Sequence, residues 1–231
     1  MIQKIIELAV CGAGGTMGAG IAIVAARAGY STICHDVSQE ALERCRQQAD
    51  AFFSQSVKRG KMSSSDKEET LARMTMTTDL ASVAKVDLVI EAVFESLDVK
   101  RTLLRQLNGV CSPETIFASN TSTLSITEIA SGCGREDRVI GLHFCLPAQL
   151  MKLIEVSKGL NTSQQTLDLC WQWTVDAGQY PVETQDKPGF ILNALLVPFN
   201  NDVIRAVEAN VAAPAEIDRA IKLALGYKMG P

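Results

Sequence analysis

Residues 5–28 read I-I-E-L-A-V-C-G-A-G-G-T-M-G-A-G-I-A-I-V-A-A-R-A, and this stretch decides the fold. Residues 5–11 are a short apolar run of strand character, followed at once by a glycine-rich turn. From Met17 to Ala28 small and aliphatic residues dominate, which predicts a helix packed tightly on a sheet. A strand, a glycine turn and a helix make a phosphate cradle. The glycines let the backbone approach a pyrophosphate, whose charge is stabilised by the amides and positive dipole end at the helix start. Gly12, Gly14, Gly15, Thr16, Met17 and Gly18 are the candidate cradle residues. Residues 31–35 read as a second strand ending in Asp36, 18 residues after Gly18. An acidic side chain there is placed to accept hydrogen bonds from an adenosine ribose and to repel a 2′-phosphate, which favours NAD over NADP.

The glycine spacing departs from G-x-G-x-x-G, because Met17 falls in the sixth place and the third glycine arrives at Gly18. Two registers are open: the turn carries an extra residue, or Gly15 and Gly18 are its last two glycines with Ala13 in place of the first. Glycine at a strand–helix junction can also serve geometry alone.

Working outward, strands and helices alternate, which predicts an α/β fold with a doubly wound, mostly parallel sheet. Ser38 opens a helix that continues over residues 41–57. A turn at Gly60 leads into a charged helix over residues 64–73, making a helical hairpin inserted into the sheet pattern. Lys58, Arg59 and Lys61 sit near its tip, where they can meet a phosphorylated ligand or be solvated surface. Strands are expected at residues 74–77, 87–92 and 115–119. After the second of these Glu95 and Lys100 lie at the start of the next helix, and the loop after the third holds Asn120, Thr121 and Ser122. Both lie at the carboxyl edge of the sheet, where ligands of open α/β folds bind. The polar residues after residue 119 also fit helix capping, with Ser125 and Glu128 as a capping box.

Residues 138–157, R-V-I-G-L-H-F-C-L-P-A-Q-L-M-K-L-I-E-V-S, hold two apolar strand-like runs, each with an ionisable residue at its end: His143 in the first and Glu155 in the second. A carboxylate brought against an imidazole fixes its tautomer and favours its protonated form, which is how a general base is built. The plainer alternative is a strand-end histidine bonded to a backbone carbonyl and a solvated edge glutamate. Residues 163–177 follow as an amphipathic helix and residues 179–182 as a last strand. D-K-P-G-F at residues 186–190 reads as a linker. A long apolar helix over residues 191–210 contains Pro198, where a kink is expected, and another helix opens at Pro214. Apolar faces on these last helices call for packing against something absent from the chain or against another copy of it.

The net charge of −4 and the lack of a dense basic stripe argue against nucleic acid. Seven scattered cysteines, never spaced C-x-x-C, suit a reducing compartment, with neither a disulfide frame nor a zinc site; no metal is expected. No apolar run approaches the roughly 20 residues of a membrane span. A soluble, cytoplasmic protein is the expectation.

Taken together, the residues resemble the 3-hydroxyacyl-CoA dehydrogenase family, including 3-hydroxybutyryl-CoA dehydrogenases. The likeness rests on G-T-M-G-A-G-I-A at residues 15–22, Asp36, V-I-E-A-V-F-E at 89–95, A-S-N-T-S-T-L at 118–124, G-L-H-F at 141–144, M-K-L-I-E-V at 151–156 and D-K-P-G-F-I-L-N at 186–193. It implies a Rossmann-like NAD-binding domain over residues 1–185 and the start of a helical, dimer-forming domain over 186–231. It also implies reversible oxidation of a (3S)-3-hydroxyacyl-CoA, short chains included. By the same resemblance Ser122, His143, Glu155 and Asn193 are the catalytic four. The glycine turn, Asp36, Glu95, Lys100, Asn120 and Ser122 face NAD, and Lys58 and Lys61 meet coenzyme A.

Two features depart from the family pattern. Leu146 stands where the family's H-F-F-N-P has asparagine, so a buried hydrogen-bond partner is expected to be lost, at about 1–3 kcal/mol. The family's C-terminal helical domain is also longer, which reads as a truncated or naturally short form. Two other readings compete. A hydroxyisobutyrate-type dehydrogenase would need a catalytic lysine, for which the linker residue Lys187 is poorly placed. A nucleotide-binding but catalytically silent relative is the reading that Leu146 keeps open.

Overall fold

The computed structural model describes residues 4–231. They form two compact units that meet between Pro188 and Gly189. In the first, eight strands make one sheet: β1 (Glu7–Cys11), β2 (Ser31–His35), β3 (Met74–Thr77), β4 (Leu88–Glu91), β5 (Ile116–Ser119), β6 (Val139–Phe144), β7 (Leu153–Lys158) and β8 (Tyr180–Gln185). Their order is β3-β2-β1-β4-β5-β6-β7-β8. Strands β1 to β6 run parallel, β7 turns back antiparallel to β6, and β8 runs parallel to β7. The chain winds outward from β1 through β2 and β3, returns to β4 and winds the other way. The switch point therefore lies between β1 and β4, and a crevice opens at their carboxyl ends.

Burial follows from the period of two along each strand. Leu8, Val10, Leu88, Ile90, Ile116, Ala118, Ile140 and Leu142 belong to one core cluster with α1 (Thr16–Arg27), α2 (Gln39–Lys58) and α6 (Gln164–Asp176). The alternate residues Ala9, Val89 and Phe117 are also buried and point to the opposite face of the sheet. Helix α1 is buried continuously from Gly18 to Ala26, and its small side chains let it lie close to the strands.

The inserted hairpin is α2 and α3 (Ser64–Ala72). Ser38 caps the first, accepting from the Ala41 amide at 3.2 Å. The second starts with a capping box between Ser63 and Asp66, a device the sequence reading overlooked. Helix α4 (Leu97–Val110) follows β4 and the short α5 (Ile126–Ala130) follows β5. The second unit contains α7 (Leu192–Glu208), with Pro198 inside it, and α8 (Pro214–Leu225), which begins on a proline and ends at Gly226 in the left-handed conformation. No helix among the described residues is long and apolar enough to cross a membrane.

Candidate active site

The crevice has two walls. The first is the turn after β1. Gly12 adopts φ +83°, and a β-carbon there would stand 2.7 Å from the Ala92 carbonyl oxygen, so only glycine lets the loops after β1 and β4 approach this closely. Gly12 and Ala13 donate their amides to His35 O at 2.9 and 3.1 Å. A β-carbon on Gly18 would overlap Gly12 O, which makes Gly18 the glycine that seats α1 against the strand. Gly12 and Gly18 thus fill the first and last places, and the extra residue lies within the turn. Gly15 and Thr16 are exposed at the helix start, where the first amides of α1 have no intrahelical acceptor. Asp36 braces the turn, accepting from Gly14 N at 3.0 Å and from Ser38 N at 3.1 Å. It remains partly exposed beside the cradle.

The second wall joins the ends of β4, β5, β6 and β7. His143 and Glu155 sit directly opposite each other in the antiparallel β6–β7 register, 2.6 Å apart from Nδ1 to Oε2. Glu155 is 1% exposed and His143 6%. A carboxylate at Nδ1 keeps a proton on that nitrogen and leaves Nε2 as the acceptor. Ser122 Oγ lies 3.0 Å from Nε2. The plainer reading of this pair, a backbone-bonded histidine and a solvated edge glutamate, is not what the fold contains.

The Ser122 loop is held by Glu95, whose Oε1 accepts from Thr121 Oγ1 (2.5 Å), Ser122 N (2.9 Å), Thr123 N (3.1 Å) and Thr123 Oγ1 (3.0 Å). Burial alone would raise the Glu95 pKa. The Thr121 hydroxyl, the Lys100 charge and the loop amides outweigh it and hold the carboxyl down at about 2. Asn120 uses its side-chain oxygen to accept from Phe144 N at 2.9 Å, tying the same loop to β6.

Lys100 is 1% exposed. Its ammonium contacts both oxygens of Glu91 at 3.0 and 2.9 Å and lies 3.2 Å from Glu95 Oε2. Glu91 ends the buried strand β4, and an acidic residue closing a fully apolar run is the sequence signal for it. Lys58 and Lys61 are exposed at the tip of the α2–α3 hairpin. Asn193 lies in the first turn of α7, in the second unit, with its amide bonded to Gly189 O at 3.1 Å.

Leu146 is 61% exposed in the loop after β6. Ser157 Oγ and Trp173 Nε1 are the buried side-chain atoms without a partner among the described residues, and neither belongs to that loop. The expected capping box at α5 is only half formed by Ser125 and Glu128: Ser125 accepts from Glu128 N at 3.2 Å. The carboxylate at this helix start is Asp186, which accepts from Ser125 Oγ, Ile126 N, Thr127 N and Thr127 Oγ1 at 2.6–2.8 Å. Its segment read as a bare linker.

A doubly wound sheet with a glycine cradle at its switch point and a serine–histidine–glutamate chain beside it defines a dinucleotide-binding domain of the dehydrogenase type. The chain belongs to the 3-hydroxyacyl-CoA dehydrogenase family. Residues 7–187 match the family model "3-hydroxyacyl-CoA dehydrogenase, NAD binding domain" and residues 189–231 match "3-hydroxyacyl-CoA dehydrogenase, C-terminal domain". A 3-hydroxyadipyl-CoA dehydrogenase from Escherichia coli K12 is 43% identical over 100% of this chain and 48% of its own length. A 3-hydroxybutyryl-CoA dehydrogenase from Clostridioides difficile is 38% identical over 97% of this chain and 80% of its own. The crystal structure of (S)-3-hydroxybutyryl-CoA dehydrogenase from Ralstonia eutropha superposes with a TM-score of 0.95 at 34% identity, covering 99% of this chain and 80% of that one. The chain therefore spans about half the length of the first of these relatives.

Proposed function

We propose that the protein catalyses reversible oxidation of the C3 hydroxyl of a short-chain (3S)-3-hydroxyacyl-CoA, such as 3-hydroxybutanoyl-CoA. The observation that carries this reading is the unbroken chain Ser122 Oγ–His143 Nε2–His143 Nδ1–Glu155 Oε2, at 3.0 and 2.6 Å. His143 takes the hydroxyl proton at Nε2 in oxidation and returns it in reduction. Glu155 fixes the ring and stabilises the imidazolium. Ser122 orients the C3 oxygen.

NAD bound in the cradle supplies hydride acceptance. The residues fit it: Gly12 admits the close backbone approach, the first amides of α1 offer donors to a pyrophosphate through Gly15, Thr16, Met17 and Gly18, and Asp36 is set to receive a ribose. Glu95 and Asn120 line the nicotinamide end with Lys100 behind them. Lys58 and Lys61 meet the coenzyme A phosphates. The names of the relatives, which carry hydroxybutyryl and hydroxyadipyl groups, support an acyl-CoA substrate.

Residues 1–185 are assigned to cofactor binding and 186–231 to a helical domain through which the protein dimerises. Exposed Leu195, Val197, Ile204 and Leu223 on α7 and α8 support that assignment. Seven unbridged cysteines support a reducing, cytoplasmic setting.

NADH oxidation with acetoacetyl-CoA tests the reading. Turnover by the wild type, lost in His143→Ala while NADH still binds, is the expected result. A wild type that binds NADH and turns over no acyl-CoA of any length would refute it and favour a silent nucleotide-binding relative.

A further inference from the structure

Glu91 and Lys100 are the most deeply buried ion pair among the described residues, each 1% exposed in its side chain. An apolar pair of similar volume would ordinarily serve a core as well or better, because two charges leave water to make one contact. Their bonding partners show what the charges do. Every proton of the Lys100 ammonium faces an acceptor inside the protein: Glu91 Oε1 and Oε2, Val93 O at 3.5 Å and Glu95 Oε2. None is left over for a ligand. Glu91 in turn accepts from Val93 N at 3.2 Å and from Ser119 Oγ. Ser119 Oγ then accepts from Thr121 N at 3.2 Å.

Two routes therefore run from this pair to the same loop. One passes through Lys100 to the Glu95 carboxylate and on to the amides of Ser122 and Thr123. The other passes through Ser119 to the amide of Thr121. Residues 92–96, between β4 and α4, have no regular structure of their own. The pair holds them from both sides, through Val93 N and Val93 O. The Ser122 loop likewise lacks helix or strand from residue 120 to residue 125. Charge at fixed points replaces the ladder bonds that would otherwise set its height over His143.

We propose that Glu91 and Lys100 are positioning residues that set the Ser122 hydroxyl on His143 Nε2 by way of Glu95 and Ser119. The proposal rests on the reading of Ser122 and His143 as the reacting pair, but its first test does not depend on turnover. The chain holds two histidines, His35 and His143, so ring ¹⁵N spectra of selectively labelled protein resolve both. Ser122→Ala marks the His143 Nε2 shift that follows loss of the serine bond.

Lys100→Met leaves Glu91 buried and unpaired and can fail to fold. The variant Glu91→Leu/Lys100→Met, which removes both charges, is therefore made beside it. The expected result is a double variant that melts at or above the wild-type temperature, with His35 resonances unchanged and His143 Nε2 moved toward the Ser122→Ala position. Its kcat for acetoacetyl-CoA falls about 100-fold, the scale of an ångström-sized misplacement, with KM within about threefold. A folded double variant whose His143 Nε2 shift matches the wild type overturns the proposal, and so does a Ser122→Ala variant that leaves that shift in place. If the wild type shows no turnover, the acyl-CoA reading falls while the ring shifts still decide the positioning.

Discussion

Replacing Glu155 with glutamine tests the heart of the mechanism, because the substitution keeps the shape of the side chain and removes only its charge. Glutamine can still accept a hydrogen bond from Nδ1 across the 2.6 Å contact, so the ring stays oriented. What disappears is the attraction between a carboxylate and the imidazolium formed when His143 takes the substrate proton. With charge centres roughly 4 Å apart and an effective dielectric constant of about 20, that attraction is on the order of 4 kcal/mol. The difference between a charge-assisted and a neutral hydrogen bond sets a lower figure of about 1 kcal/mol. At about 1.4 kcal/mol per decade, kcat should fall by roughly 5- to 1,000-fold. Glu155 is 1% exposed and offers almost no surface to a ligand, so KM for acetoacetyl-CoA and the affinity for NADH should stay within about threefold. Single-turnover oxidation of enzyme-bound NADH isolates the chemical step. A kcat within threefold of wild type in a folded variant would refute the role assigned to the carboxylate, and so would a loss confined to KM.

Substitutions at three further places, two of them with a control beside them, probe the frame around that pair. Gly18→Ala drives a β-carbon into Gly12 O, a backbone atom that cannot move aside, and should cost about 1–3 kcal/mol or more of stability together with NADH binding, whereas Gly15→Ala meets Gly12 O only at 3.4 Å and should melt near the wild type. Glu95 titrates at about 2 in the folded chain against an ordinary 4.5, so its bonds stabilise the fold fully above about pH 4.5, and that contribution is lost as pH falls toward 2. The melting-temperature gap between wild type and Glu95→Gln should therefore be widest near neutrality and close as pH drops through that window; a gap that does not vary with pH would contradict the assignment. Asp186→Ala removes four hydrogen bonds from the start of α5 and should destabilise the first unit by about 1–2 kcal/mol in urea titrations, while Lys187→Ala, whose side chain is exposed, should change it by less than about 0.5 kcal/mol.

How much of this was legible in the sequence depended on how far apart the partners lie along the chain and on whether a periodic pattern marks them. The β1–turn–α1 unit was read from a local pattern, and its one ambiguity, the glycine register, needed the close approach of Gly18 to Gly12 that only coordinates supply. His143 and Glu155 are 12 residues apart, each near an end of a strand-like run, and the antiparallel pairing of those runs puts them face to face. Lys100 was harder. It sits in S-L-D-V-K-R-T-L-L-R, where charges usually mark a solvated helix face, and its burial comes from a carboxylate nine residues earlier at the end of a different element. Asp186 left no local trace at all, because proline and glycine beside it announce a break while its partners at residues 125–127 lie about 60 positions away. His143 and Glu155 sit on strands, which patterns reveal, and the groups that hold Ser122 over them are joined by polar side chains, which patterns do not. Side-chain bonds between loops carry no period, since each joins one particular atom to another. A substitution in such a group therefore disturbs the chemistry without disturbing any feature by which the fold is recognised.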